Sequence, residues 1–168
     1  MKWITWAITC LFCLVLSVAA DPVDGDPAPA DSRERHLDMK HLYLELNVDF
    51  KREQVQAQAR LKLRLLKEVD RITLDAVGLD VRSVRFGDEE RDVTFHTDGE
   101  SLVVLLGNRH RAGAEINLVV DYSIHRPKKG MYFVNPRGEE EGVPRQVWTQ
   151  SEPDETRHWI PCVDHPEG

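Results

Sequence analysis

Apolar and polar residues alternate strictly from Leu37 onward. In "HLYLELNVDF", Leu42, Leu44, Leu46 and Val48 point to one side, while His41, Tyr43, Glu45, Asn47 and Asp49 point to the other. A period of two over that length predicts a half-buried strand. The next segment, "EQVQAQARLKLRLLK", sets Val55, Ala57, Ala59, Leu61, Leu63 and Leu65 on one face and Gln54, Gln56, Gln58, Arg60, Lys62 and Arg64 on the other. Its residues favour helix by intrinsic propensity. A helix would scatter those leucines around its circumference, so the alternation decides for a strand. The polar "DFKRE" between the two runs fits a hairpin loop.

Further strands are predicted at "RITLDAV", "DVRSVRF", "DVTFHT", "SLVVLL" and "EINLVVDYSIH", with "RQVWT" strand-like near the end. Asp98-Gly99 is a tight hairpin signal and Gly113 marks another turn. No segment before the tail carries a helical period, and only "PDETRHW" suggests a short helix. Short alternating strands with regular turns mean an all-β domain, an antiparallel sandwich or barrel, here read as a sandwich.

The amino terminus departs from this pattern. Met1-Lys2 precedes the apolar run "WITWAITCLFCLVLSVAA", which gives way to "DPVDGDPAPADSRER". A basic start, an apolar core and small residues before a cut predict a secretory signal peptide over residues 1–20, cleaved after Ala19 or Ala20. The alternative is an uncleaved membrane anchor, because the run nearly reaches the ~20 residues of a span. Either way the chain is expected to be exported. Residues 21–35, rich in Pro, Asp and Ala, read as a disordered linker. Removing the signal leaves about 148 residues, one domain from residue 36 to 168. Cys10 and Cys13 fall in the signal, so Cys162 stands alone as a buried small hydrophobe or a free thiol, and no disulfide framework is possible. The net charge of −7, with 29 acids and 22 bases interspersed, argues against nucleic acid, which rewards a basic stripe.

A self-contained active site is not evident. There is no HExxH pair, no GxSxG elbow, no glycine-rich phosphate loop, and no CxxC outside the signal. His36 and His41 are expected in solvent, Arg109, His110 and Arg111 in a solvated turn, and Glu139–Glu141 in a charged loop. The tail, "VWTQSEPDETRHWIPCVDHPEG", is different. Gln150 and Glu152 lie two apart after the strand-like "RQVWT", so extended backbone would put both side chains on one face. Such a pair can accept hydrogen bonds from an ammonium group, and charge-assisted bonds are worth about 1.5–3 kcal/mol each. The competing reading makes Glu152, followed by Pro153, the cap of the short helix.

Thr149, Gln150, Glu152, Pro153, Arg157, Trp159, Pro161, Cys162, Asp164 and Pro166 resemble a pattern of the aminopeptidase N type of zinc aminopeptidases: T-Q-x-E-P-x-x-A-R, an aromatic, P-C, then D-E-P. "ITLDAVGLDVRSV" and "KGMYFV" are similar to that family's amino-terminal domain in the same order, so the resemblance runs from about residue 36 to the end. It implies a saddle-shaped β-sandwich packed against a thermolysin-like catalytic domain. It also implies that Glu152 grips the free α-amino group of a peptide and that Gln150 lines the pocket for its first side chain. Thr156, Val163 and His165 depart from the pattern: the first two look like packing changes, and the third removes an acid. The family's zinc helix, distant glutamate ligand and glycine-rich motif belong to its next domain.

This chain is therefore expected to hold no catalytic residue, metal or cofactor of its own, to stop short of the family's full β-domain, and to be inactive alone. It would serve as the substrate-anchoring part of an exported enzyme, completed by a separate catalytic domain or chain. Its expected partner is a peptide amino terminus, with a membrane involved only if the signal is uncleaved. Two alternatives remain open: a non-catalytic sandwich that binds peptide amino termini or docks a partner along an open edge, and a small-ligand barrel.

Overall fold

The computed structural model of the chain describes residues 36–87 and 91–164. The signal segment 1–20, the linker 21–35 and the departure at His165 lie outside the described residues. Strands β1 (Leu37–Asp49) and β2 (Gln54–Leu65) form the hairpin that the alternation predicts. Leu42 faces Leu61, Leu44 faces Ala59, Leu46 faces Ala57 and Val48 faces Val55 across an antiparallel ladder. Phe50 to Glu53 turn the chain, and Glu53 N–H donates to the Phe50 carbonyl at 3.2 Å. β3 (Val69–Asp75), β4 (Asp80–Phe86), β5 (Arg91–Asp92), β6 (Phe95–Thr97), β7 (Ser101–His110) and β8 (Glu115–His125) follow.

The strands divide into a five-stranded sheet, ordered β1-β2-β8-β4-β5, and a three-stranded sheet, ordered β3-β7-β6. Every pairing is antiparallel. The inward row of β2 meets that of β8, with Ala57 opposite Tyr122, Ala59 opposite Val120 and Leu61 opposite Leu118. These six residues share one core with Ile72 and Leu74 of β3 and Leu102, Val104 and Leu106 of β7. Sheet-on-sheet packing follows because each sheet has one apolar face to remove from water. Each fully buried leucine there contributes about 1.5–3 kcal/mol. The two sheets are hydrogen-bonded separately, so the fold is an open sandwich and the barrel reading is set aside.

Three strands cannot cover five. The row Leu42, Leu44 and Val48 on β1 is only half-buried, and Leu46 is 39% exposed. Among the described residues β1 pairs with β2 alone, which leaves a long strand edge.

Three of the expected strands differ from expectation. "SLVVLL" continues to His110, so Arg109 and His110 end a strand rather than lie in a turn. "RITLDAV" starts two residues earlier, at Val69, and stops at Asp75. "DVTFHT" is split between the sheets. Val93 N–H donates to the Val84 carbonyl of β4 at 2.9 Å, whereas the Thr94 carbonyl accepts from Leu105 N–H of β7 at 2.9 Å. The chain changes sheets between those two residues. The turns at Asp98-Gly99 and Gly113 form as expected, with both glycines at positive φ.

A second hairpin, β9 (Met131–Val134) with β10 (Gln146–Thr149), carries the tail. Its long loop winds around Asn135, which is 6% exposed. The Asn135 amide donates to the carbonyls of Glu140 and Val143 and accepts from Glu140 N–H. Glu139, Glu140 and Glu141 sit on that loop, exposed as expected. Phe133 meets Phe50 edge-to-face at 5.8 Å, and Arg145 lies over Phe50 at 5.0 Å. Those contacts tie the second hairpin to the β1–β2 turn.

Candidate functional site

β10 ends at Thr149, so strand geometry does not carry Gln150 and Glu152 together. A turn presents them. Gln150 N–H donates to the Gly130 carbonyl at 2.9 Å, which extends the hairpin by one rung. The Gln150 side-chain amide then donates to the Glu152 backbone carbonyl at 3.3 Å. The Glu152–Pro153 peptide is cis, and Glu155 N–H donates to the Ser151 carbonyl at 2.9 Å. Gln150 and Glu152 are both exposed, and the Glu152 carboxylate has no partner among the described residues.

The cap reading does not hold. Among the described residues the helical piece of the tail is a 3-10 turn, Thr156–His158, with Glu155 at its cap position and no side-chain cap bond. A turn this short starts too late for Glu152 to reach its free N–H groups.

Glu155 occupies a different place. Its Oε2 accepts from the Tyr132 hydroxyl at 2.7 Å and from Gly130 N–H at 2.9 Å. The Tyr132 hydroxyl, and then the Gly130 amide, hold the Glu155 carboxyl below the usual glutamate range. The same bond pushes the Tyr132 phenol up. Tyr132 also stacks on Trp148, its cross-strand neighbour, at 4.4 Å and 17°. Gly130 has φ +74°, and a Cβ there would stand 2.5 Å from the Glu155 carbonyl oxygen and 2.9 Å from the Trp159 ring. Only glycine allows the tail to pass that close.

Beyond the turn the tail is clamped to the sandwich. The Tyr122 hydroxyl, in the core, donates to the Trp159 carbonyl at 2.8 Å. Asp75, at the end of β3, exchanges backbone bonds with Cys162 at 2.7 and 3.0 Å, and Val77 N–H donates to the Arg157 carbonyl at 2.9 Å. The Arg157 guanidinium donates to Asp164 Oδ2 at 3.0 Å and to the Asp164 carbonyl at 2.9 Å. Asp164 N–H donates to Asp75 Oδ2 at 3.0 Å. Cys162 is a buried free thiol, pushed up by burial and inert as a nucleophile.

The motif residues therefore separate by task. Arg157, Trp159, Cys162 and Asp164 bind the tail down, while Gln150 and Glu152 stay open to solvent. Sequence reasoning singled out Gln150 and Glu152 but not Glu155, Tyr132 and Gly130, which bond across the turn beside them; a lone glycine before "MYFV" was the only local signal.

Among the described residues no three His, Cys, Asp or Glu side chains gather to hold a metal ion. The described side chains do not suit a catalytic zinc, which takes three protein ligands and a water. His36 and His41 are exposed, as expected. A hollow of about 340 Å³ lies elsewhere, lined by Phe86, Arg91, Leu106, Asn108, His110 and Ile116 among others, with no tail residue in its wall.

The fold is similar to that of larger solved proteins. An M1 zinc metallopeptidase mutant from Deinococcus radiodurans, bound to a Tyr-Ser-Ala substrate, superposes with a TM-score of 0.62 at 23% identity. The match covers 78% of this chain and 30% of that one. Native leukotriene A4 hydrolase from Saccharomyces cerevisiae gives a TM-score of 0.63 at 21% identity, over 82% of this chain and 24% of that one. The chain thus spans less than a third of these proteins' length. No curated protein matches it. The family model for the peptidase M1 N-terminal domain matches residues 38–168, and the chain belongs to that family.

Proposed function

We propose that this domain anchors the amino terminus of a peptide for an exported zinc aminopeptidase, with Glu152 taking the α-ammonium group and Gln150 lining the space for the first side chain. The observation that carries this reading is the contrast at residues 150–155. The turn is bonded at both ends, yet its one unpartnered carboxylate stands exposed. A carboxylate with free lone pairs on a fixed turn can accept charge-assisted bonds from an ammonium without reorganising. Anchoring that ammonium sets the register of the peptide, so only its first peptide bond would reach a catalytic group. The metal-dependent step would belong to a catalytic domain or partner chain, and this chain alone would be inactive.

The test is a heteronuclear NMR titration of the chain with alanyl-alanine amide and with its N-acetyl form. The free amine should move the Gln150, Ser151 and Glu152 amide signals, the acetylated peptide should not, and Glu152→Gln should abolish the response. Equal responses to both peptides, or no response, would refute the assignment.

Among the described residues β1 pairs with β2 alone, which favours a second reading, a binding module that adds a partner strand along the outer edge of β1. That reading predicts shifts along Leu37–Asp49 on titration with an extended peptide, with the tail signals unmoved.

A further inference from the structure

We infer that Glu155 is the positioning residue of the anchor: by bonding Gly130 and Tyr132 across the tail, it fixes where Gln150 and Glu152 stand. This goes beyond the anchoring proposal and rests on it for its functional meaning.

Gly130 is the hub. Its carbonyl accepts from Gln150 N–H, the first residue of the turn, and its N–H donates to the Glu155 carboxylate at the far end. Both ends of the turn are thereby referred to one residue, immediately before β9. The Tyr132 hydroxyl supplies the second bond to the same Glu155 oxygen, and Tyr132 is itself held flat against Trp148. The missing side chain at Gly130 lets Glu155, His158 and Trp159 approach. Between the two fixed ends lie Ser151, Glu152, Pro153 and Asp154, and no other side chain among the described residues bonds the backbone of that stretch except that of Gln150. Removing the Glu155 side-chain bonds unties that end of the turn from Gly130 and Tyr132, leaves the backbone bond to Ser151, and does not touch the sandwich core. The titratable groups facing Glu155 are Tyr132 on β9, Lys129 before it and His158 behind it.

The test compares wild type, Glu155→Gln, Tyr132→Phe and Glu152→Gln by NMR, with alanyl-alanine amide as the probe. In Glu155→Gln the Gly130 amide proton should move upfield as its charged acceptor is lost. The Gln150, Ser151 and Glu152 amides should shift and exchange faster, by about tenfold, while signals of β2 and β8 stay in place. The preference for free over acetylated peptide should fall in parallel. Tyr132→Phe, which keeps the ring and removes one donor, should shift the same amides less, and it carries the test should Glu155→Gln unfold. Glu152→Gln should leave the Gly130 signal where it is. In wild type, the Gly130 amide should titrate with Glu155, which a purely steric role would not produce. Unmoved signals at 150–152 in a folded Glu155→Gln chain overturn the inference, whatever the peptide does. If those signals move but wild type takes no peptide, the anchoring proposal fails and the positioning role stands.

Discussion

The Tyr122 hydroxyl donates to the Trp159 carbonyl at 2.8 Å, joining the most buried aromatic of the core to the segment behind the candidate site. Tyr122 is fully buried and burial pushes its phenol up, so the hydroxyl stays protonated as a donor at all ordinary pH. Tyr122→Phe should cost about 1 kcal/mol, read as a lower urea midpoint with unchanged slope. It should also raise amide exchange from Arg157 to Cys162.

Asp164 tests the clamp on the other side. Its carboxylate takes Arg157 Nε and the Arg157 backbone N–H, with both side chains mostly buried. Asp164→Ala would leave a mostly buried guanidinium without its close carboxylate, with the residue-164 carbonyl and the exposed Asp154 at 3.9 Å still beside it. The expected loss is roughly 3 kcal/mol, the low end for breaking a buried pair, measured by chemical denaturation. Arg157→Ala should cost no more, because the Asp164 carboxylate would keep the backbone N–H of residue 157.

Gly130→Ala forces a Cβ into the Glu155 carbonyl at a backbone φ of +74°. Strain of this kind costs about 1–3 kcal/mol, and the loss should appear as a lower thermal midpoint. By contrast, Gly113→Ala, with φ +84° and open space around it, should cost only the backbone part. A larger loss at Gly113 than at Gly130 would contradict the close approach of the tail.

Acid should act on the β6–β7 turn. Asp98 accepts from the backbone N–H groups of Glu100 and Ser101 and from the Ser101 hydroxyl, which hold its carboxyl at about 2. A carboxyl depressed by folding stabilises the fold above its unfolded value, near 3.8. That contribution disappears as pH falls from there through about 2. Asp98→Ala should therefore lower the thermal midpoint at neutral pH and flatten its fall between roughly pH 4 and 2.

What the residues disclosed in advance was local. β2 and β8 announce themselves because every second side chain is apolar and both faces are filled as the pattern demands. The crossover at Val93 and Thr94 is invisible to that pattern, since alternation continues unbroken while the hydrogen-bond partners change sheet. β9 hides in "MYFV", a run too short and too uniform to show a period, and its loop is too long for a hairpin signature. A motif drew attention to Gln150 and Glu152. Glu155 was not, because its partners Gly130 and Tyr132 lie 25 and 23 residues upstream, a distance that only folding closes. The half-buried β1 row likewise depends on the width of the opposite sheet, which no single strand encodes.

The most direct test of the anchoring account is a thermodynamic cycle by calorimetry, pairing free and N-acetylated alanyl-alanine amide with wild type and Glu152→Gln at neutral pH and low salt. An exposed carboxylate–ammonium contact should give wild type about a fivefold preference for the free amine, and Glu152→Gln should show none. A preference that survives in Glu152→Gln would place the amine elsewhere and contradict the account.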